Sequence, residues 1–466
     1  MLALVPGACS TPDPIENYLP AGAAPDAASF TGSGGTQGSG GSKPASGAGG
    51  AGGSGASGSA GAAGGAGESS EVGGAAGSTG SSTESGGGGG TGGGGPVVDC
   101  GEPPVSDDAF TKQNLRAQAA DCAMHHYCVF EAHARWLDST VVSHANDRSE
   151  VTLARAREAW KGAMASWSVL ELFQFGPAAN PSMSAGKDMF QGKGVRDTIY
   201  AWPTTARCRV DEQVIGRGFV KHGMDSTLIS GRGLYALEAL LFHDGSTSAC
   251  SPGTSTAKTW ASLETETLTE YRNDYAVAVA DDVVDQIRGL RQTWSPDAGN
   301  FREVFVSASG YPSEQESLNV LGWALVYIEK EVKDWKLGLP AGYVLDAPVS
   351  EPEAPYAGTA TDNLVHNLLG FRALFQGCGP AGEGLGFDDW LVQAGHPELA
   401  TDIIQAWQSA HAVVGKLPPL HSASQSELDE AYLVVKALTD LLKNELLGAG
   451  SPLNLDLPAS VEGDTD

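Results

Sequence analysis

Residues 149–177, SEVTLARAREAWKGAMASWSVLELFQFGP, contain the clearest structural signal of this sequence. Their apolar side chains recur every three or four positions, at Val151, Leu153, Ala156, Ala159, Trp160, Ala163, Met164, Trp167 and Leu170. This period places the apolar side chains on one face of an α-helix. Gly176-Pro177 cannot continue the helix. The stretch therefore predicts an amphipathic helix over residues 149–175.

The same helical period recurs along the rest of the chain. Further helices are predicted at residues 210–223, 231–242, 256–294 (one helix or a broken pair), 313–335, 361–375, 397–417 and 426–447. Few segments alternate with period two, so strands should be scarce. The sequence predicts an all-α protein of two up-and-down helical bundles, residues 107–244 and 251–447, with an acidic tail at 448–466.

The N-terminal part has a different composition. Residues 30–96 are almost entirely Gly, Ala, Ser and Thr, which cannot offset the entropy of ordering, so we predict a disordered tether over residues 10–99. The apolar stretch 2–8 ends in small residues just before Cys9, as at a lipoprotein processing site. We expect residues 1–9 to be a signal segment and Cys9 to carry a lipid. A cytoplasmic chain with an apolar N-terminus is the alternative.

Lipidation at Cys9 would hold the protein on a bacterial outer membrane, facing the periplasm or the exterior. The net charge of −28 repels phosphate backbones, so nucleic-acid binding is not expected. The same charge suits cation binding or simply solubility. After the N-terminal segment no apolar run reaches the length of about 20 residues that a spanning helix needs.

Besides Cys9 the chain has six cysteines: Cys100, Cys122, Cys128, Cys208, Cys250 and Cys378. An even number in an exported protein predicts disulfides, although six cysteines allow fifteen pairings. Cys208 and Cys250 flank the helix predicted at residues 231–242 and are a candidate pair. Metal ligation by thiolates is less favoured because no C-x-x-C spacing occurs.

Two acids stand among large apolar neighbours. Glu238 lies in GRGLYALEALLF (residues 231–242), with Tyr235 three residues earlier on the same helical face. Glu171 lies in the apolar end of the helix predicted at 149–175. Two buried acids repel each other unless a cation or a proton lies between them, so Glu238, Tyr235 and Glu171 form a candidate metal site. Alternatively, Glu238 lies at the surface or pairs with Arg232.

The order of several motifs resembles the imelysin family of exported, insulin-cleaving-metalloproteinase-like lipoproteins. These motifs are Trp160 through Trp167, Glu171 and Phe175-Gly-Pro177, Ile199-Tyr-Ala-Trp-Pro203, Cys208-Arg-Val-Asp211, Gly233-x-Tyr235-x-x-Glu238, Lys336-Leu-Gly-Leu-Pro-Ala-Gly342, Glu353, and Asn367-Leu-Leu-Gly370 through Phe375-x-Gly377. The resemblance spans about residues 107–447. It implies two helical bundles, export, and a function either as a metallopeptidase or in iron regulation and uptake.

The family signature is G-x-H-x-x-E, and this sequence has Tyr235 where the histidine belongs. A neutral phenol is a poor ligand for zinc, and no His-Glu-x-x-His is present elsewhere. We therefore expect a non-catalytic protein that binds a metal ion, iron in preference to zinc, or an iron-related ligand, with an iron-uptake protein as a possible partner. The alternatives are a metallopeptidase with a degenerate motif, and a partner-binding module without metal.

Overall fold

The first two long helices begin after residues whose side chains cap a helix N-terminus. Their apolar residues recur with a helical period. The computed structural model describes residues 99–179, 194–344 and 351–458. The Thr111 and Ser149 side chains accept hydrogen bonds from the backbone N–H groups of Asn114 and Thr152 and so cap the first two helices. Arg148, in the left-handed conformation (φ 53°), makes the turn between these helices.

The α-helices are α1 (Lys112–Asp147), α2 (Glu150–Leu170), α3 (Val195–Ile199), α4 (Arg207–Gly216), α5 (Gly218–His222), α6 (Gly233–Phe242), α7 (Ser255–Ser262), α8 (Thr265–Trp294), α9 (Phe301–Val306), α10 (Glu314–Leu325), α11 (Leu339–Ala341), α12 (Ala360–Phe375), α13 (Phe387–Gln393), α14 (Pro397–Val414) and α15 (Gln425–Leu441). Single 3₁₀ turns lie at Gly176–Ala178, Met224–Ser226, Ile229–Gly231 and Leu420–Ser422. The β-type pairing within the described residues is one isolated parallel bridge between Leu447 and Leu455. The prediction of an all-α protein is confirmed.

Two segments are π-helices: π1 (Ile328–Gly338) and π2 (Leu442–Leu446). The sequence predicted one continuous helix over residues 313–335, but the structure divides it into α10 and π1. The wider turn of a π-helix changes which side chains point inward, and such turns are frequent at functional sites. On π1 it buries Glu329, Lys333 and Lys336 together.

The first predicted helix, residues 149–175, ends earlier than its apolar period suggested. Helix α2 stops at Leu170, because the chain turns back through Glu171 to reach Gly176, whose φ is 59°. A Cβ at Gly176 would lie 2.3 Å from the ring of Phe301, so only glycine fits this turn. The early end places Glu171 at the C-terminal end of α2, where it points into the interior.

The helices that carry the candidate residues pack around α2 and α8. Helix α1 packs against α2 and α8, α6 contacts both α2 and α8, and α12 lies along α2. These contacts join helices from both sides of the predicted boundary at residues 244–251, and the division into two bundles remains a prediction. Residues 448–458, from the predicted acidic tail, pack against α10, where Trp323 Nε1 donates to the Asp456 carbonyl at 2.8 Å.

Three disulfides join the six cysteines: Cys100–Cys128, Cys122–Cys378 and Cys208–Cys250. The last of these is the candidate pair from the sequence. None of the helices in the described part of the chain combines the length and the apolar character that crossing a bilayer requires. Cys9, the signal segment and residues 10–98 of the predicted tether lie outside the described residues.

Candidate functional site

Glu238 lies on α6 and is fully buried. Its Oε1 accepts hydrogen bonds from the backbone N–H groups of Tyr356, at 2.7 Å, and Ala357, at 2.9 Å. Its Oε2 has no hydrogen-bond partner among the described residues. Arg232 pairs instead with Asp282, at 3.0 Å from Nε to Oδ2. The two alternatives from the sequence, a surface position or an arginine partner, are therefore both excluded for Glu238.

Helix α6 can bury Glu238 because Gly233 starts the helix against neighbouring backbone. Gly233 has φ 68°, and a Cβ there would lie 2.2 Å from the Ile199 carbonyl oxygen. Only glycine tolerates both the conformation and the close approach. This glycine brings α6 against the C-terminal end of α3, which Tyr200 follows directly.

Burial raises the pKa of Glu238 to about 8. The hydrogen bonds from Ala357 and Tyr356 oppose this shift, and the negative charges of Glu353 and Glu351 add to it. Glu238 is therefore mainly protonated at neutral pH. A cation close to this carboxyl would reverse the effect and favour the carboxylate.

Tyr235 is also buried and lies one helical turn before Glu238. Burial raises the pKa of the Tyr235 phenol, and the neighbouring Tyr356 and Glu238 raise it further. The charge of Glu238 therefore acts on the Tyr235 phenol, and the role of this pair as a metal site remains a prediction. Tyr356 adds a second phenol beside this pair, and its ring lies edge-on to His243, with 5.6 Å between the ring centroids.

Glu171, the third predicted site residue, is fully buried and already has a cationic partner. Its Oε2 lies 2.8 Å from Lys336 Nζ and 3.0 Å from Asn367 Nδ2. Burial by itself would raise the pKa of Glu171, but the charges of Lys336 and Arg196 lower it below its usual range. The side chain is therefore ionised, and the nearby cation is an ammonium group of the chain itself.

Lys336 also contacts a second buried acid, Glu353, at 2.9 Å from Nζ to Oε1. Asn363 Nδ2 donates to the other oxygen of Glu353 at 3.1 Å. Burial raises the pKa of Glu353, and the charge of Glu171 adds to this effect while Lys336 opposes it. Lys336 therefore neutralises Glu171 and leaves Glu353 as the acid that more readily holds a proton.

Tyr200 is affected by the charges of Glu171 and Glu353 and also by that of Glu238. Its phenol is fully buried, and burial together with the charges of Glu353, Glu238 and Glu171 raises its pKa. All three carboxyl groups therefore act electrostatically on this one phenol. Burial and the charges of Glu171 and Glu353 also raise the pKa of Tyr327. We call the region formed by Glu171, Tyr200, Tyr235, Glu238, Tyr327 and Glu353 the carboxylate chamber.

Several polar atoms of the carboxylate chamber lack hydrogen-bond partners among the described residues. They include Glu171 Oε1, Glu238 Oε2 and the hydroxyl groups of Tyr200 and Tyr327. Unpaired buried polar atoms are costly, and a cluster of them calls for a specific explanation. The unpaired atoms are all oxygens, which suits a hard cation or a hydrogen-bonding guest.

Comparison with known proteins places this architecture in a family. The family model described as Imelysin matches residues 123–445, which include α6, π1 and α12. The chain belongs to the imelysin family. Among curated proteins, Iron-regulated protein A of Synechococcus elongatus is 24% identical over 363 residues, which cover 75% of this chain and 88% of that protein.

Two solved structures share the imelysin-family fold. An imelysin-like protein from Psychrobacter arcticum, 16% identical, matches 76% of this chain and 98% of its own with a TM-score of 0.55. A protein from Parabacteroides distasonis, described as an iron-regulated protein A precursor, is 15% identical. It covers 73% of this chain and 96% of its own with a TM-score of 0.53.

Two groups of potential metal ligands lie outside the carboxylate chamber of this imelysin-family chain. Within the described residues, His, Cys, Asp and Glu ligand atoms come within 4.8 Å of one another in two trios, Cys122, His126 and Cys378, and Cys208, Glu212 and Cys250. Both trios contain a disulfide, whose sulfurs are not thiolate ligands. Neither trio includes a residue of the carboxylate chamber. A metal in the chamber would be held by carboxylate and phenol oxygens together.

Sequence reasoning alone missed four residues in or beside the carboxylate chamber: Lys336, Glu353, Tyr200 and Tyr356. The first three lie in motifs that carried the imelysin resemblance, but no local pattern marked them as site residues. Tyr356 had no sequence signal, because it reaches Glu238 through its backbone N–H. Only the packing of α2, α6, π1 and α12 brings these distant positions together.

Proposed function

We propose that this protein is an exported, non-catalytic member of the imelysin family that binds iron, or an iron-bearing ligand, in the carboxylate chamber. The observation that carries the proposal is the position of Glu238. It is fully buried, one of its oxygens has no hydrogen-bond partner within the described residues, and neighbouring phenol and carboxyl groups interact with it electrostatically. Such an acid is stabilised when a cation replaces its proton.

The side chains around Glu238 fit ferric iron better than zinc. Carboxylate and phenolate oxygens suit hard cations, whereas zinc favours imidazole and thiolate ligands. Glu238 and Tyr235 would hold the ion, with Glu353 and Tyr356 beside them. Glu171 has a supporting role, since it holds Lys336 in place and its Oε1 has no hydrogen-bond partner among the residues that the structure describes. When bound, iron supplies the positive charge that allows these groups to ionise.

One comparison and one feature of the sequence support the iron assignment. The Synechococcus relative is named an iron-regulated protein, and the match covers most of its length. Tyr235 replaces the histidine of the family signature, which disfavours zinc-dependent peptide hydrolysis. An iron-uptake protein is the partner that this role would require.

Export and lipidation at Cys9 complete the proposal. The three disulfides suit an oxidising compartment. The Parabacteroides relative is described as a precursor, which agrees with export of that protein. Under this proposal the lipid at Cys9 anchors the protein to the outer membrane, and residues 10–99 let the helical part extend away from it.

Thermal unfolding of the full-length chain tests the iron assignment. Ferric nitrilotriacetate should raise the melting temperature in a saturable way, because a ligand bound only to the folded state stabilises it. Zinc and magnesium salts should have a smaller effect. Glu238→Gln should abolish the shift, while Glu430→Gln, at an exposed position on α15, should retain it. An equal shift in Glu238→Gln would contradict the proposal, and zinc-dependent, chelator-sensitive cleavage of an unfolded substrate would favour a peptidase.

A further inference from the structure

A second candidate site lies on the surface, in a cleft of about 430 Å³ between the end of α1, the start of α5 and the middle of α8. It shares no lining residue with the carboxylate chamber. Val142, Phe219, Val220 and Val277 form apolar parts of its wall. Val220 is 61% exposed, so a ligand with a small apolar body would remove unfavourable surface from water.

Arg217 provides a fixed hydrogen-bond donor in this cleft. Its Nη2 donates to Asp274 Oδ2 at 2.7 Å, and its guanidinium lies 4.4 Å from the centre of the Tyr271 ring. Its Nη1 is buried and has no partner among the described residues. The ion pair and the aromatic contact therefore hold the guanidinium in place, and Nη1 is left without a partner among the described residues.

Asn273 supplies a second donor. Its Nδ2 is also buried without a hydrogen-bond partner in the described part of the chain, and Asn273 and Arg217 both line the cleft. An unsatisfied buried donor costs about 1–3 kcal/mol. Two such donors in one cleft indicate that it suits a ligand with acceptor oxygens.

The backbone places two guanidinium groups at the cleft. Arg217 and Arg148, which both line the cleft, are the C-cap residues of α4 and α1, with φ angles of 49° and 53°. A left-handed C-cap ends a helix and turns the chain. Both residues carry a guanidinium, the side chain best matched to a carboxylate.

We infer that this cleft binds a small organic carboxylate with a short, branched apolar body. The carboxylate oxygens accept hydrogen bonds from Arg217 Nη1 and Asn273 Nδ2. Arg148, which also pairs with Glu266, lies at the rim. The apolar body packs against Val142, Val220 and Val277. This inference does not depend on iron binding in the carboxylate chamber.

Calorimetric titration of the full-length chain with 3-methylbutanoate tests the inference, with the neutral amide of the same acid as a matched control. The acid should bind saturably, and the amide should bind at least about tenfold more weakly, since it lacks the charge that strengthens the hydrogen bonds. Added salt should weaken binding of the acid.

Two variants identify the donors. Asn273→Leu and Arg217→Lys should each lower the affinity for 3-methylbutanoate about tenfold or more. Arg288→Lys, also on α8 but outside the cleft lining, should leave the affinity unchanged. Circular dichroism confirms that each variant is folded. The inference is overturned if acid and amide bind equally, if folded Asn273→Leu and Arg217→Lys bind like the unmodified chain, or if the acid shows no saturable binding.

Discussion

Lys336 Nζ lies 2.8 Å from Glu171 Oε2, and both side chains are buried. These residues are 165 positions apart in sequence. The pair joins π1 to the end of α2 and supplies a cation inside the carboxylate chamber. Because Lys336 also contacts Glu353, one ammonium is shared by two acids. In the part of the chain that the structure describes, the third acid, Glu238, has backbone donors alone, and for this reason the proposed iron site is centred there.

Lys336→Met should destabilise the protein strongly, because it leaves Glu171 buried without its cation. Breaking a buried ion pair from one side costs about 3–5 kcal/mol. Urea unfolding of the full-length chain at pH 7 measures the loss. The double variant Lys336→Met with Glu171→Gln should recover part of it, since no buried charge is then left unpaired.

The control for Lys336 is Lys436→Met. Lys436 pairs with Asp440 at 2.9 Å on α15, where both side chains are partly exposed. Exposed pairs contribute only about 0–1 kcal/mol. If Lys336→Met cost no more than Lys436→Met, the ion pair with Glu171 would not be the stabilising contact that its burial indicates.

Glu238 should make the protein less stable as the pH rises. Its pKa is about 8 in the folded chain, against an ordinary value of 4.5, so between these values the folded state holds a proton that the unfolded state has released. Stability therefore falls with pH across this window, by on the order of 5 kcal/mol in total for this group. Glu238→Gln has no such titrating group. The free energy of unfolding of this variant, relative to that of the unmodified chain, should therefore increase from pH 5 to pH 8.

Glu427→Gln is a suitable comparison for the pH experiment. Hydrogen bonds from Ser424 lower the pKa of the exposed Glu427, so this residue stays ionised in both states above pH 5. The difference between Glu427→Gln and the unmodified chain should be constant from pH 5 to pH 8. A constant difference for Glu238→Gln as well would mean that Glu238 has no raised pKa.

Loss of the disulfide between Cys122 and Cys378 should destabilise the folded chain more than loss of the disulfide between Cys208 and Cys250. The two disulfides span 256 and 42 residues. Loop-closure entropy gives about 5–6 kcal/mol for the longer loop and about 4 kcal/mol for the shorter. Guanidinium unfolding of the two double-alanine variants measures the order, and a larger loss for Cys208→Ala with Cys250→Ala would contradict this account.

The parts of the fold that depend on local pattern were predictable from the sequence. The apolar period that marks α2 and the burial of Glu238 among apolar residues are visible in short windows. The early end of α2 was not, because it depends on the contact between Gly176 and Phe301. The partners of Glu171 and Glu238 were not predictable either, because Lys336 and Tyr356 are distant in sequence and meet them only through tertiary packing.

Substitutions at Tyr235 should change iron binding and zinc binding in different ways. A phenolate bound to ferric iron absorbs visible light, so Tyr235→Phe should lose the absorption band that ferric nitrilotriacetate produces in the unmodified chain. Tyr235→His restores the imidazole of the family signature and should bind zinc more tightly. Visible spectra and zinc titrations measure these changes. A band of unchanged intensity in Tyr235→Phe would show that Tyr235 is not a ligand.

The iron content of the full-length chain tests the central claim most directly. After equilibrium dialysis against ferric nitrilotriacetate at pH 8, elemental analysis should find about one iron per chain in the unmodified protein and in Glu430→Gln, because a single buried chamber offers one set of oxygen ligands. Glu238→Gln should retain none. Iron absent from the unmodified protein, or present equally in Glu238→Gln, would contradict iron binding at Glu238.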